Sequence, residues 1–302
     1  MLCTLILFCT GCGAGENLNV SGEKKIYLVT MDNTSSFWEG INNGCKKAIE
    51  ESDKQINYRW IAPNERNVSS QSGYIDLAIE EGADAIIISA ISLNETNESL
   101  KKADEAGVKI IYIDSAASYE PLASFMTDNE IAGETAAKTM LKAFENAGIT
   151  SGTIAVAAND ANTLNTSLRD RGFRKIFEDT DFEIVQTLYM SRGVQDLKNT
   201  VAAHPEYVGF FGTNQSATLA IGEQLEQSAT KQIVVGFDVA PQTVERIKSG
   251  VIYATMKQDN FKMGYDAMKF AIESLNKKTT EKNIYNSIGV KVITKENLNE
   301  VE

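Results

Sequence analysis

Histidine is nearly absent from this chain, with one residue in 302. Cysteine is scarce as well: there are four, and Cys3, Cys9 and Cys12 crowd into the first dozen residues. Only Cys45 and His204 remain to carry thiol or imidazole chemistry in the body of the chain. One cysteine cannot close an intramolecular disulfide or build a CxxC metal site. Cys45 falls in a helical pattern, where a small buried apolar role is expected. His204, in "AAHPEY", is expected in a surface turn. No nucleophile therefore stands beside a base, and an enzyme is not expected. Neither GxGxxG nor GxxxxGK[ST] occurs, so nucleotide phosphates have no cradle. No cofactor and no metal are implied. Basic residues are outnumbered too: 29 Lys and Arg against 41 Asp and Glu give a formal charge of −12. That balance argues against nucleic acid, whose phosphates need clustered Lys and Arg.

What is present is ordinary for a folded chain long enough for two domains: 43% hydrophobic and 23% charged residues. The N-terminus stands apart. "MLCTLILFCTGC" is apolar through Phe8 and too short to span a bilayer. It resembles the apolar region and cleavage site of a bacterial lipoprotein signal peptide, which makes Cys12 the lipidation site. No basic segment precedes it, and Cys9 stands where that pattern usually has Leu, so a longer natural signal is expected. Residues 13–23 then read as a polar tether.

From residue 24 onward, short apolar runs alternate with amphipathic ones. Strands are expected at 25–30, 56–62, 83–89 and 108–114, with helices at 37–52, 69–81 and 93–106, the last capped by Asn94. A second set of strands comes at 152–158, 182–189, 207–213 and 231–238. Ser89 and Thr213 end equivalent runs, and so do Asp114 and Asp238; 213 − 89 and 238 − 114 both equal 124. The expected fold is α/β: two similar, doubly wound parallel-sheet lobes.

In such sheets ligands bind beyond the carboxyl ends of the strands. Those ends carry "MDNTSSFW", Ser89, Asp114-Ser115, "NDANTLNTSLRDRG", Tyr189, Asn214 and Asp238. Carboxylates and amides engage paired hydroxyls, Arg donates two parallel bonds, and aromatic rings cover an apolar C–H face. Together they suit a neutral, hydroxyl-rich small molecule, a sugar above all.

Seven stretches carry a family resemblance: "SSFWEGINNGCKKA", "GVKIIYIDS", "TDNEIAGETAA", "RDRGF", "FFGTNQ", "VVGFD" and "ATMKQDNFKMGYDA". In this order they resemble the type I periplasmic binding proteins, the ribose- and galactose-binding group of solute receptors, over residues 24–294. The resemblance implies a three-segment hinge and two lobes, 24–127 plus 259–287 and 128–258 plus 288–302, after a signal and tether at 1–23. It implies that Phe37 and Trp38 line the sugar ring, with Trp38 in direct contact and Ser35 nearby. Asp114 would accept hydroxyl hydrogens from the first lobe. Arg169, Asn214, Asp238 and Gln258 would act from the second, with Asn165 as a weaker candidate and Tyr189 or Met190 as an apolar wall. Ser89 and Ser115 stand where ribose receptors carry Asn and Arg, which tells against ribose itself and leaves room for a larger or less polar sugar; the expected ligand is a hexose, a deoxyhexose or a pentose. Gly133 and Gly264 read as close-packing positions, and Asp128 as a helix cap. The implied role is monosaccharide capture for an ABC importer, by a monomer held outside the cell membrane through a lipid. The alternatives are a sensing receptor for a histidine kinase or chemoreceptor, and a binder of another small molecule. A sugar-responsive repressor would need a helix-turn-helix that residues 1–23 lack.

Overall fold

The computed structural model describes residues 22–190, 193–226, 228, 231–276 and 282–301. Cys12 and most of the signal and tether lie outside them. The first lobe opens with β1 (Lys24–Val29), α1 (Ser36–Glu50), β2 (Ile56–Ile61), α2 (Val68–Glu80), β3 (Ala85–Ile88), α3 (Asn97–Glu105), β4 (Lys109–Ile113) and β5 (Ala123–Thr127). The second holds α4 (Asn129–Ala147), β6 (Gly152–Ala158), α5 (Leu164–Phe177), β7 (Phe182–Ile184), β8 (Leu188–Tyr189), α6 (Val194–Ala203), β9 (Gly209–Gly212), α7 (Gln215–Leu225), β10 (Ile233–Phe237), α8 (Pro241–Ser249) and β11 (Ala254–Gln258). The chain then returns to the first lobe with α9 (Asn260–Asn276) and β12 (Ile284–Ile288) before β13 (Val290–Thr294) and a 3-10 turn, Lys295–Glu300, rejoin the second.

The first sheet runs β12-β5-β4-β3-β1-β2, with every pairing parallel. The second runs β13-β11-β10-β9-β6-β7, with β13 antiparallel on its edge and β8 paired to β6. Continuous apolar strands such as Ala85–Ile88, buried on both faces, fit a sheet covered by helices on each side. One face of the first sheet packs on α1 and α9 through Ile41, Cys45 and Met263, and the other on α2 and α3 through Ile75 and Leu100. Burial pushes the Cys45 thiol up to about 12, so it stays protonated and inert. The order reverses between β1 and β3 and again between β6 and β9, and a crevice opens at each reversal.

The chain passes between lobes at Asp128, Asp259 and Gly289, each a single residue between elements of different lobes. Two of these residues are carboxylate caps. Asp128 accepts from the Ile131 N–H at 3.2 Å, and Asp259 from the Lys262 N–H at 2.9 Å. Thr127 donates to Gln258 at 2.8 Å, tying the first two passages together.

The helix pairs α1–α9 and α4–α5 pack with almost no side chain between them. A Cβ on Gly264 would lie 2.0 Å from the Ile41 carbonyl oxygen, and one on Gly133 would lie 2.1 Å from that of Arg169.

Three local expectations are corrected. Asn94 does not cap α3: its amide oxygen accepts from the Ser118 hydroxyl at 2.8 Å, and Thr96 stands at the cap position. The run 182–189 is two strands, because the Arg174 guanidinium takes the carbonyls of Ile184 and Val185 that would continue the ladder. β5, β11, β12 and β13 carry mixed polar residues and gave no apolar run to read. Ile288 is the last residue of β12, paired with Thr127, and does not begin the second lobe.

Candidate functional site

Asp114 comes directly after β4 and Asp238 directly after β10, and both hold left-handed backbone angles, φ 55° and 66°. Asp tolerates that region better than most residues, at a cost of about 1–3 kcal/mol. Each still extends its sheet: the Asp114 N–H reaches the Phe125 carbonyl and the Asp238 N–H that of Met256. The left-handed turn stops the strand and aims the carboxylate off the sheet's end. The 124-residue offset thus corresponds to two equivalent turns, one per lobe.

Between the two carboxylates lies Arg169 of α5, 1% exposed. Its Nε donates to Asn129 at 2.8 Å, one terminal nitrogen to the Thr213 carbonyl at 2.9 Å, and the other to Gln258 at 2.9 Å. The guanidinium lies 4.0 Å over the Phe237 ring and 3.8 Å from the Asp114 carboxylate. Gln258 hands the network on, donating to Asp238 at 2.8 Å. Asp114 also accepts from Ser89 at 3.0 Å and, across the cleft, from Asn165 at 2.9 Å.

Desolvation dominates the electrostatics. It raises Asp114 above the usual carboxylate range against the pull of Arg169, Ser89 and Asn165. It pushes Asp238 up to about 6 against Arg169 and the Gln258 hydrogen bond. Burial lowers Arg169, and the two carboxylates oppose that shift. Because the Asp238 pKa is raised on folding, its contribution to stability is fully present below the unfolded value of about 4 and is lost as pH rises through 6. Asp238→Asn keeps a residue that tolerates left-handed angles and removes the titration. The melting temperature of the natural protein, relative to this variant, is expected to be higher at pH 5 than at pH 7.5. An unchanged difference between the two pH values would contradict the raised Asp238 pKa.

Phe37 and Trp38 open α1, where Ser35 caps the helix by accepting from the Phe37 N–H. Their rings meet edge to face, 5.0 Å between centroids. They are 9% and 4% exposed and belong to the first-lobe core while also lining the recess. Asn214 caps α7 with its oxygen, which fixes the amide and leaves Nδ2 buried without a partner among the described residues. Asp114, Asn165, Arg169, Asn214 and Asp238 therefore surround one recess with the two rings and Ser35.

Other predicted residues fall elsewhere. Ser89 is fully buried and touches the recess only through Asp114. Gln258 acts through Arg169 and Asp238. Ser115 lines a separate hinge-side cavity of about 250 Å³, so the space it leaves is behind Asp114 and does not enlarge the recess. Tyr189 is 36% exposed and lines neither the recess nor the cleft outside it. Its neighbour Met190, the first residue beyond β8, is the one that lines the cleft.

Sequence reading missed Arg66. It enters from the β2–α2 loop, lines the recess, and bonds across the cleft to Asp160 at 3.3 Å and Thr163 at 2.7 Å. The signal was the loop beyond the second strand, whose polar residues sit at the same sheet end as those beyond the first, third and fourth.

Two sheet-ended lobes thus meet on a polar recess lined from both sides. A model of the periplasmic binding protein domain matches residues 26–279, and the chain belongs to that family. It is 24% identical over 270 residues to the ribose import binding protein of Bacillus subtilis, covering 87% of each chain. A solute-binding protein of Agrobacterium radiobacter in complex with D-arabinose superposes with a TM-score of 0.85 at 24% identity, covering 93% of this chain and 97% of that one. One of Agrobacterium vitis with bound D-fucose gives 0.80 at 26% identity, covering 91% and 97%. No helix among the described residues is long and apolar enough to cross a membrane.

Proposed function

We propose that this chain captures a monosaccharide between its lobes outside the cell and delivers it to the membrane subunits of an ABC importer. The observation that carries this reading is the meeting of Asp114 and Asp238, held by equivalent turns of opposite lobes, around Arg169 beside the Phe37–Trp38 pair. The carboxylates accept sugar hydroxyls, Arg169 and the Asn214 amide donate, and the rings cover a C–H face. The names of the matched relatives, import binding proteins for ribose and D-apiose, support the same class of cargo.

The lobes, β1 to β5 with α9 and β12 and α4 to β11 with β13, move as bodies about the three passages. Each holds half of the hydrogen-bonding set, so a sugar favours the closed form by its contacts to both. At about 60 Å³ the recess holds a few water molecules and not a pyranose. A sugar therefore enters with the lobes further apart than here, and they close on it until Arg66 again reaches the second lobe. Lipid on Cys12 tethers the receptor to the membrane surface, and mass spectrometry of the mature N-terminus tests this.

A thermal-shift panel of pentoses, hexoses and deoxyhexoses tests the function: a ligand of the folded state raises the melting temperature. Shifts with amino acids or purines and with no sugar would sink the proposal. Arg66→Ala is expected to weaken affinity mainly through faster sugar release, because its cross-cleft bonds exist only while the lobes meet. Stopped-flow dissociation rates equal to those of the natural protein would exclude that role.

A further inference from the structure

The space between the lobes does not end at the recess. It widens into an outer cleft of about 750 Å³, and Asp32, Arg66, Asn159 and Ser216 line both spaces. That volume falls within the roughly 300–1,000 Å³ of ordinary small-molecule sites, and the recess falls well below it. The outer walls repeat the chemistry of the recess with different residues. Asn64 and Glu95 face the cleft from the first lobe and Asn162 from the second, supplying amides and a carboxylate suited to hydroxyls. Met190 and Val194, the latter 45% exposed, supply an apolar patch on the second lobe. The charge is one-sided. Among the described residues, Asp32, Glu65, Glu95 and Asp160 face one cation, Arg66, which is already bonded to Asp160.

We infer that the cleft holds a second sugar subsite, so that the preferred ligand is a disaccharide or other glycoside. One ring enters the recess, and the outer unit, uncharged or amine-bearing, lies in the cleft beyond Arg66. The acidic wall disfavours an outer unit that carries a carboxylate or phosphate, because like charges facing across a partly desolvated space repel. This inference rests on the reading of the recess as a sugar site.

Calorimetric titration tests it. D-glucose, D-galactose and D-arabinose are compared with disaccharides carrying the same ring at one end: cellobiose, maltose, lactose, melibiose and arabinobiose. Cellobiouronic acid serves as the anionic partner of cellobiose. At least one neutral disaccharide is expected to bind about tenfold or more tighter than its monosaccharide, and the uronic acid to bind more weakly than cellobiose. The double variant Asn64→Ala, Glu95→Ala changes two exposed side chains outside the recess. It is expected to reduce disaccharide affinity to the level of the monosaccharide and to leave the latter unchanged. Monosaccharides binding as tightly as every disaccharide, or a double variant that alters neither, would overturn the second subsite and leave the proposed function standing. Tightest binding of the uronic acid would overturn the charge selection. Binding of neither mono- nor disaccharides would overturn both readings, starting with the recess.

Discussion

Arg169→Ala is expected to abolish sugar-induced stabilisation and to lower the unfolding free energy by roughly 3–5 kcal/mol at neutral pH, the usual cost of removing one partner from a buried charge group. The guanidinium donates to Asn129, Thr213 and Gln258, covers Phe237, and sits between Asp114 and Asp238. Without it, two buried carboxylates face each other with only Arg66, more distant and bonded to Asp160, as a neighbouring positive charge. Both then hold protons to higher pH than before, Asp238 starting from about 6. The loss is therefore expected to be smaller at pH 5 than at pH 7.5, because protonation discharges what Arg169 had balanced. Urea unfolding at the two pH values measures this directly. A deficit under about 1 kcal/mol at pH 7.5, or one identical at both, would contradict the assignment. Arg169→Lys restores charge but not the planar fork, and is expected to recover more stability than sugar response.

The second large effect comes from a residue that touches no ligand. Gly133→Ala places a methyl group 2.1 Å from the Arg169 carbonyl oxygen, and backbone cannot yield as a side-chain tip does. Overpacking of this kind costs about 1–3 kcal/mol. Here it also displaces α5, which carries Asn165 and Arg169 into the recess, so affinity is expected to fall together with stability. Gly73 is the control. It lies in the interior of α2 with nothing within 4 Å of its missing Cβ. Gly73→Ala is expected to gain roughly 0.5–1 kcal/mol with unchanged sugar response. If the two variants melt alike, the close approach of α4 and α5 does not hold Arg169 in place.

The parts of this architecture that show in the sequence are those with a local signature. Apolar runs buried on both faces announced β1, β3, β4, β6, β9 and β10, and the strand-ending carboxylates Asp114 and Asp238 disclosed the repeat. The edge strands β12 and β13 alternate half-buried with exposed residues and were indistinguishable from loop. Side-chain direction was harder still. Tyr189 ends the two-residue strand β8 and Met190 follows it, and that one position exchanges solvent for the wall of a cleft. Ser115 sits beside Asp114 in sequence yet opens onto a different cavity, because a left-handed residue turns the chain between them. Arg66 depends on a loop path and on a partner 94 residues away, Asp160, and no local pattern encodes that pairing.

The three single-residue passages also dictate when the molecule can finish folding. The first lobe begins at β1, but α9, which packs on α1, and β12, which completes its sheet, are made only after residue 259. The second lobe likewise waits for β13. A nascent chain emerges from its N-terminus, and a domain folds as a unit once its parts are available. Neither lobe can close its core until about nine-tenths of the polypeptide exists, and the pairings that close it are among the most distant in sequence and so the slowest to form. Late completion therefore leaves both cores open for nearly the whole of synthesis.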